Sequence, residues 1–64
     1  MKNFTVICPY APEEQTALSD EWKATELCLD LANEFGYAYV FNEMTDEIHL
    51  DYGDVCQAVE DGVI

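Results

Sequence analysis

Three side chains in the C-terminal half are spaced so that they could hold a metal ion or exchange protons. Glu47, His49 and Asp51 occupy every second position, so in an extended strand all three would point to the same side. Imidazole and carboxylate groups together can bind transition metals. A single histidine between carboxylates is more typical of a solvated surface, however, and we predict neither a metal site nor a cofactor.

A second pattern consists of Glu26, Asp30 and Glu34, which recur at every fourth position. On a helix this spacing forms a column of carboxylates with ~6 Å of rise between neighbours. Like charges so placed oppose helix formation weakly, by about 0.2–0.5 kcal/mol per pair. The column predicts either a solvated acidic face or a surface that presents carboxylates where a nucleic acid has phosphates.

Further acidic residues surround a predicted hairpin and the start of the last predicted helix. We predict that they form a second acidic cluster, made of Asp46, Glu47, Asp51 and Asp54. The segment from Asp51 to Asp54 does not match an EF-hand loop, because the glycine and the bidentate glutamate are not at the required positions. No calcium site is therefore predicted.

Few of the residues expected of an enzyme are present. The chain has no arginine, one histidine and no glycine-rich phosphate loop. A domain of this size buries only about 60% of its unfolded surface, which leaves little room for an enclosed pocket. Cys8, Cys28 and Cys56 are widely spaced, so we predict small core residues rather than a disulfide framework or zinc site. We predict no enzymatic activity.

The charge balance limits the possible partners. The 64 residues include 14 Asp and Glu against two Lys and Arg, for a net charge of −12. Because Lys2 and Lys23 are the only lysines, at least twelve carboxylates cannot have a lysine partner within the chain. Such a negative potential disfavours direct binding to nucleic acid or to an anionic membrane. Since half of the residues are hydrophobic, we predict one folded acidic domain spanning residues 1–64 rather than disorder.

The most secure predicted element is a helix from Ser19 to Phe35. Ser19 is a suitable N-cap, and Gly36 supplies the left-handed residue that commonly ends a helix. An apolar stripe with three- and four-residue steps should face a sheet. The stripe contains Ala24, Leu27, Cys28, Leu31 and Phe35. Before the helix, residues 4–8 predict a strand, and residues 9–18 predict a loop with room for one helical turn.

After the helix, residues 37–42 and 47–52 predict two strands joined by a four-residue loop. Pairing Asn42 with Glu47 sorts the hairpin into a mainly apolar face and a more polar face. The apolar face, which we expect the helices to cover, would contain Tyr37, Tyr39, Phe41, Ile48, Leu50 and Tyr52. Asp54 is then placed to cap a short helix that extends toward Gly62.

The order of these elements is β-α-β-β-α. It predicts an α+β fold, specifically a small two-layer domain whose three-stranded sheet is covered by helices on one face. A right-handed crossover through the long helix would make the first two strands parallel.

Trp22 and Leu29 do not belong to the apolar stripe of the helix. They are seven residues apart and therefore share a face, which lies well away from that stripe. The pattern predicts either that the preceding loop covers them or that they are exposed to a partner. Aromatic anchors dominate the energy of many interfaces, so both residues are candidates for a protein contact.

Two functions are compatible with these patterns. The first is a non-enzymatic acidic inhibitor that binds the basic groove of a nucleic-acid-binding protein or complex by imitating phosphates. Phages and mobile elements use compact proteins of this type against host defences, as anti-CRISPR or anti-restriction proteins. The alternative is a small acidic adaptor or regulatory subunit that recognises a protein partner through Trp22 and Leu29.

The remaining expectations concern assembly and location. We expect a monomer or a weak homodimer, because a charge of −12 per protomer opposes close association. No apolar run is long enough to cross a membrane or to act as a signal peptide. We therefore expect a cytoplasmic protein, located in the host cell cytoplasm if a phage encodes it.

Overall fold

A computed structural model describes residues 2–63, and its longest element is helix α1, Glu21–Phe35. The helix begins one residue later than predicted, because Asp20 rather than Ser19 is the N-cap. The Asp20 carboxylate accepts from the backbone N–H groups of Trp22 at 2.9 Å and Lys23 at 3.4 Å. Gly36 ends the helix with φ 115°, as its position predicted.

The sheet has four strands rather than the predicted three. They are β1 (Phe4–Ile7), β2 (Thr16–Leu18), β3 (Tyr37–Asn42) and β4 (Glu47–Gly53). The order across the sheet is β2-β1-β3-β4, and all neighbouring strands are antiparallel. The α+β class is therefore confirmed, while the number of strands was wrong.

Strand β2 also changes the topology of the crossover. The 3-10 turn at Pro12–Glu14 agrees with the helical turn that was predicted between β1 and α1, but the residues after it do not remain a loop: the chain returns along β1 as β2. This return reverses the chain direction before the helix begins. The helix consequently connects β2 to β3, which are parallel but not adjacent. The predicted first and second strands, residues 4–8 and 37–42, correspond to β1 and β3. These two strands are antiparallel, so the prediction that they are parallel was wrong.

The β3–β4 hairpin pairs Asn42 with Glu47, as predicted, but its register shifts between Val40 and Phe41. The shift leaves His49 as an extra residue opposite this step, which is a β-bulge. Helix α1 packs on the face that carries Val6, Ala38 and Val40. The predicted covering of the aromatic face was wrong for Tyr39 and Phe41, which alternate with these core residues and lie on the opposite face. Leu50 does pack against the core as expected, because the bulge places it opposite Val40.

The core lies between α1 and the sheet. It is built around fully buried small and branched side chains, together with Leu31 at 4% exposure. The fully buried members include Val6, Cys8, Ala24, Cys28, Ala38 and Val40. The predicted stripe of α1 is confirmed, since Leu27 and Phe35 also pack against this cluster. The prediction that all three cysteines are core residues was wrong for Cys56, which is exposed.

The short helix α2, Val55–Glu60, is attached at the end of the sheet where β3 begins and β4 ends. Asp54 caps it, as predicted, by accepting from the backbone N–H of Gln57 at 3.0 Å. The backbone N–H of Asp54 in turn donates to the carbonyl of Gly36 at 3.0 Å. This hydrogen bond links the start of α2 to the C-terminal end of α1.

Candidate functional site

The predicted column of carboxylates lies on the solvent side of α1. Glu26, Asp30 and Glu34 are all exposed. Within residues 2–63 none of the three has a side-chain hydrogen bond or an ion pair. Burial of the opposite side of the helix against the sheet holds the column outward. The structure therefore presents the three carboxylates on one rigid element, and Lys23, three residues before Glu26, does not lie within 4.0 Å of any of them.

Trp22 and Leu29 are exposed on the same side of the helix. Trp22 is 72% exposed and Leu29 is 43% exposed, so the preceding loop does not cover them. Trp22 lies four residues before Glu26, and Leu29 lies three residues after it; residues at these spacings are neighbours on a helix surface. The acidic and apolar candidates therefore form one surface. This surface, the outer face of α1, consists of Trp22, Glu26, Leu29, Asp30 and Glu34.

The second predicted acidic cluster is not assembled. Asp46 and Asp54 lie just beyond opposite ends of β4 and are separated by roughly 25 Å at the usual rise per strand residue. Glu47 pairs with Asn42, whereas Asp51 pairs with Tyr39 and points to the other side of the sheet. All four carboxylates are exposed, but they contribute to the overall charge from different places.

The bulge also separates the residues that alternate in sequence along β4. His49 lies on the helix side of the sheet, where its ring centroid is 5.4 Å from that of Phe4 and its Nε2 is 2.9 Å from a carboxylate oxygen of Glu21. Asp51 faces the opposite side. In the described part of the chain, no three His, Cys, Asp or Glu side chains are grouped to hold a metal ion.

Sequence reasoning did not identify Glu21 as a contact of His49. The two residues are separated by 28 positions, and only the packing of the start of α1 over β4 brings them together. The exposure of Met44, at 73%, was also not predicted. Met44 lies in the hairpin loop, and this placement alone was a signal of exposure.

The charge of the protein lies entirely at its surface. All 14 acidic residues are exposed. Six of them are hydrogen-bonded to nearby groups, namely Asp20, Glu21, Glu43, Asp51, Asp54 and Asp61. Between residues 2 and 63 the single hydrogen bond between a carboxylate and a basic side chain joins Glu21 and His49, and neither lysine lies within 4.0 Å of a carboxylate. The negative field is thus almost uncompensated by cations.

Two tyrosines use this excess of carboxylates as acceptors. The Tyr10 hydroxyl donates to Asp61 at 2.5 Å, and the Tyr37 hydroxyl donates to Asp51 at 3.1 Å. The hydrogen bond to Asp61 raises the pKa of Tyr10 to about 12. Burial, followed by the hydrogen bond to Asp51, raises the pKa of Tyr37 to about 12. Both hydroxyls therefore keep their protons more strongly in the folded protein than in the unfolded chain.

These two shifts predict loss of stability in alkali. Below the ordinary tyrosine pKa of 10.0, the two protonated hydroxyls contribute fully to the free energy of unfolding. This contribution disappears as pH rises from 10 to about 12, because the unfolded chain then releases protons that the folded protein retains. We expect the melting temperature of the Tyr37→Phe variant to fall less steeply across this range than that of the parent. Tyr52→Phe, at an exposed position, is the control; equal slopes for all three proteins would contradict the prediction.

Cys28 behaves as a structural residue of the core. Burial raises the pKa of its thiol to about 11, with a further increase from the charge of Asp51. Because the thiolate is the nucleophilic form, this thiol is unreactive at neutral pH. Cys8 is also fully buried, and its thiol donates to the carbonyl oxygen of Tyr37 at 3.3 Å. Both buried cysteines therefore contribute to packing.

Comparison of the chain with protein-family models, with curated proteins and with solved structures gave no match. No helix within residues 2–63 is long and apolar enough to cross a membrane.

Proposed function

We propose that the protein is a non-enzymatic acidic inhibitor that binds the basic groove of a nucleic-acid-binding protein or complex in place of nucleic-acid phosphates. The observation that supports this proposal is the exposure of all 14 carboxylates, together with the absence of any lysine ion pair within residues 2–63. A surface adapted only for solubility would intersperse both signs of charge. Here the charges attract a basic partner over long range and repel nucleic acid itself.

The rigidity of α1 favours this function. Its column of three carboxylates is fixed by a capped helix whose other side is buried in the core. Charged groups that are already ordered lose less conformational entropy on binding than groups on a flexible tail. The surface can therefore compete with a nucleic acid for a groove although the protein has only 64 residues.

The biological setting belongs to the same proposal. Compact inhibitors of this type serve phages and mobile elements against restriction or CRISPR systems of the host, and they act in the host cytoplasm. The partner is accordingly a basic protein or complex of a defence, repair or transcription system. The inhibitor itself binds neither nucleic acid nor membrane, and its charge keeps it monomeric or weakly dimeric.

Neutralising the column tests the proposal. We expect the triple variant Glu26→Gln, Asp30→Asn, Glu34→Gln to bind a captured nucleic-acid-binding partner at least about tenfold more weakly than the parent, because it removes the fixed carboxylates from the contact. The measurement is calorimetric titration of the purified partner at two salt concentrations. Duplex DNA should displace the parent protein, and moderate salt should weaken its binding.

A matched control separates the position of the charges from their number. The variant Glu13→Gln, Glu14→Gln, Glu60→Gln also removes three exposed carboxylates, none of which has a side-chain partner within residues 2–63. We expect this control to retain most of the affinity. Equal weakening by the two triple variants would show that α1 has no special role, and simultaneous binding of DNA and the protein would refute the mimicry.

An adaptor function is the second candidate, and the exposure of Trp22 at 72% and Leu29 at 43% favours it. In that case an apolar contact would supply most of the binding energy. Affinity would then survive neutralisation of the column, would change little with salt and would be unaffected by DNA. The same titration therefore distinguishes the two functions.

A further inference from the structure

The outer face of α1 combines two kinds of group that usually bind different ligands. Trp22 and Leu29 expose apolar area, whereas Glu26, four residues after Trp22 and three before Leu29, exposes a carboxylate next to both. At 100° per residue, Glu26 lies on the same side as Trp22, while Lys23 lies beyond Glu26. Around the helix, Glu26 is therefore closer to Trp22 than Lys23 is.

We propose that this face binds an arginine-bearing surface of the partner, with a guanidinium stacked on the Trp22 ring and hydrogen-bonded to Glu26, the carboxylate one helical turn away. The inference rests on the proposed function for the class of partner and adds the location and chemistry of the contact. A guanidinium is planar and weakly hydrated, and it presents a fork of donors that fits a carboxylate. A tryptophan face is also the best aromatic surface for a cation.

Charge complementarity selects this occupant over a second copy of the chain. A symmetric contact through α1 would bring two columns of carboxylates together, and only Lys2 and Lys23 would be available to offset them. A basic partner instead neutralises the column while it covers Trp22 and Leu29. Lysine satisfies the charge but lacks the planar surface that stacks on an indole, so the proposal predicts a preference for arginine.

Peptides of equal charge test this preference directly. Fluorescently labelled nona-arginine and nona-lysine are titrated with the intact protein at low salt, and binding is followed by anisotropy. We expect nona-arginine to bind at least about fivefold more tightly. Trp22 is the only tryptophan. Its intrinsic fluorescence should therefore change when the arginine peptide binds and should report contact at this face.

Single substitutions then assign the preference to Trp22. We expect Trp22→Ala to weaken nona-arginine binding about tenfold and nona-lysine binding less than about twofold, which removes the discrimination. Met44→Ala is the matched control, because Met44 is 73% exposed but lies in the hairpin loop. Trp22 has little buried area, so circular dichroism should show that both variants remain folded.

Equal affinity for the two peptides, an unchanged Trp22 signal, or equal effects of Trp22→Ala and Met44→Ala would overturn the inference. These failures are separable from failure of the proposed function. If DNA still displaces the protein from a basic partner while the peptides show no preference, the mimicry stands and the arginine contact is wrong. If the preference is found but no partner is displaced by DNA, the contact stands and the mimicry is wrong.

Discussion

Substitution of Gly53 by alanine is expected to lower the free energy of unfolding by about 3 kcal/mol or more, which is enough to unfold much of a small domain. Gly53 has φ 105°, which L-residues rarely adopt. A β-carbon there would overlap the carbonyl oxygen of Gly36 and would lie 2.8 Å from the Cα of Tyr37. Both obstacles are backbone atoms, which cannot move aside as a flexible side chain can. Thermal denaturation followed by circular dichroism measures the effect.

Gly62→Ala provides the control for backbone strain without a clash. Gly62 also has a positive φ, of 73°, but a β-carbon added there would have no neighbour within 4 Å among the described residues. We expect this change to cost only about 1 kcal/mol. Gly36→Ala should be intermediate, since φ is 115° and the nearest atom is 3.8 Å away in the Tyr10 ring. If all three variants melted alike, close packing of the two chain segments at Gly53 would be refuted.

Leu31→Ala is expected to lower the free energy of unfolding by about 2–5 kcal/mol. Leu31 is 4% exposed and belongs to the cluster between α1 and the sheet. Truncation removes apolar contacts and leaves a cavity that the neighbouring small residues fill poorly. Because a core in a chain of this length rarely supplies more than about 3–5 kcal/mol of net stability, we expect a partly or fully unfolded variant in urea titration.

Leu29→Ala makes the same chemical change two residues away. Leu29 is 43% exposed on the outer face of α1, so we expect a loss below about 1 kcal/mol. The two variants separate fold from binding: Leu29→Ala should remain folded and lose affinity for the partner. A large loss of stability for Leu29→Ala would mean that this side chain is part of the core rather than of the contact surface.

Local signals in the sequence were sufficient for the helix and the hairpin. The apolar stripe and Gly36 predicted α1 within one or two residues of its observed limits, although the cap is Asp20 and not the predicted Ser19. The Asn42–Glu47 pairing and the Asp54 cap were also correct. Each of these features depends on residues that are close in sequence, so their physical causes are visible without the tertiary structure.

The errors in strand number, crossover direction and hairpin faces arise from strand pairing, which no local pattern reveals. Strand β2 has three residues, too few to show alternation, and it forms because residues 16–18 pair with β1. The bulge at His49 leaves no mark on the hydrophobic pattern, yet it changes which residues of β4 share a face. Of the candidate site, the column on α1 was predictable from its spacing. The second acidic cluster is not assembled, because its members lie along β4 and just beyond both of its ends.

The position of β4 at the edge of the sheet gives its acidic residues a further consequence. An edge strand has unpaired backbone donors and acceptors, and a seven-residue strand that exposes Ile48 would readily add to the edge of another molecule. Glu47 and Asp51 place negative charge on opposite faces of this strand, so any second copy that aligned with it would be repelled on either face. The charge that attracts a basic partner thus also protects the protein from ordered aggregation.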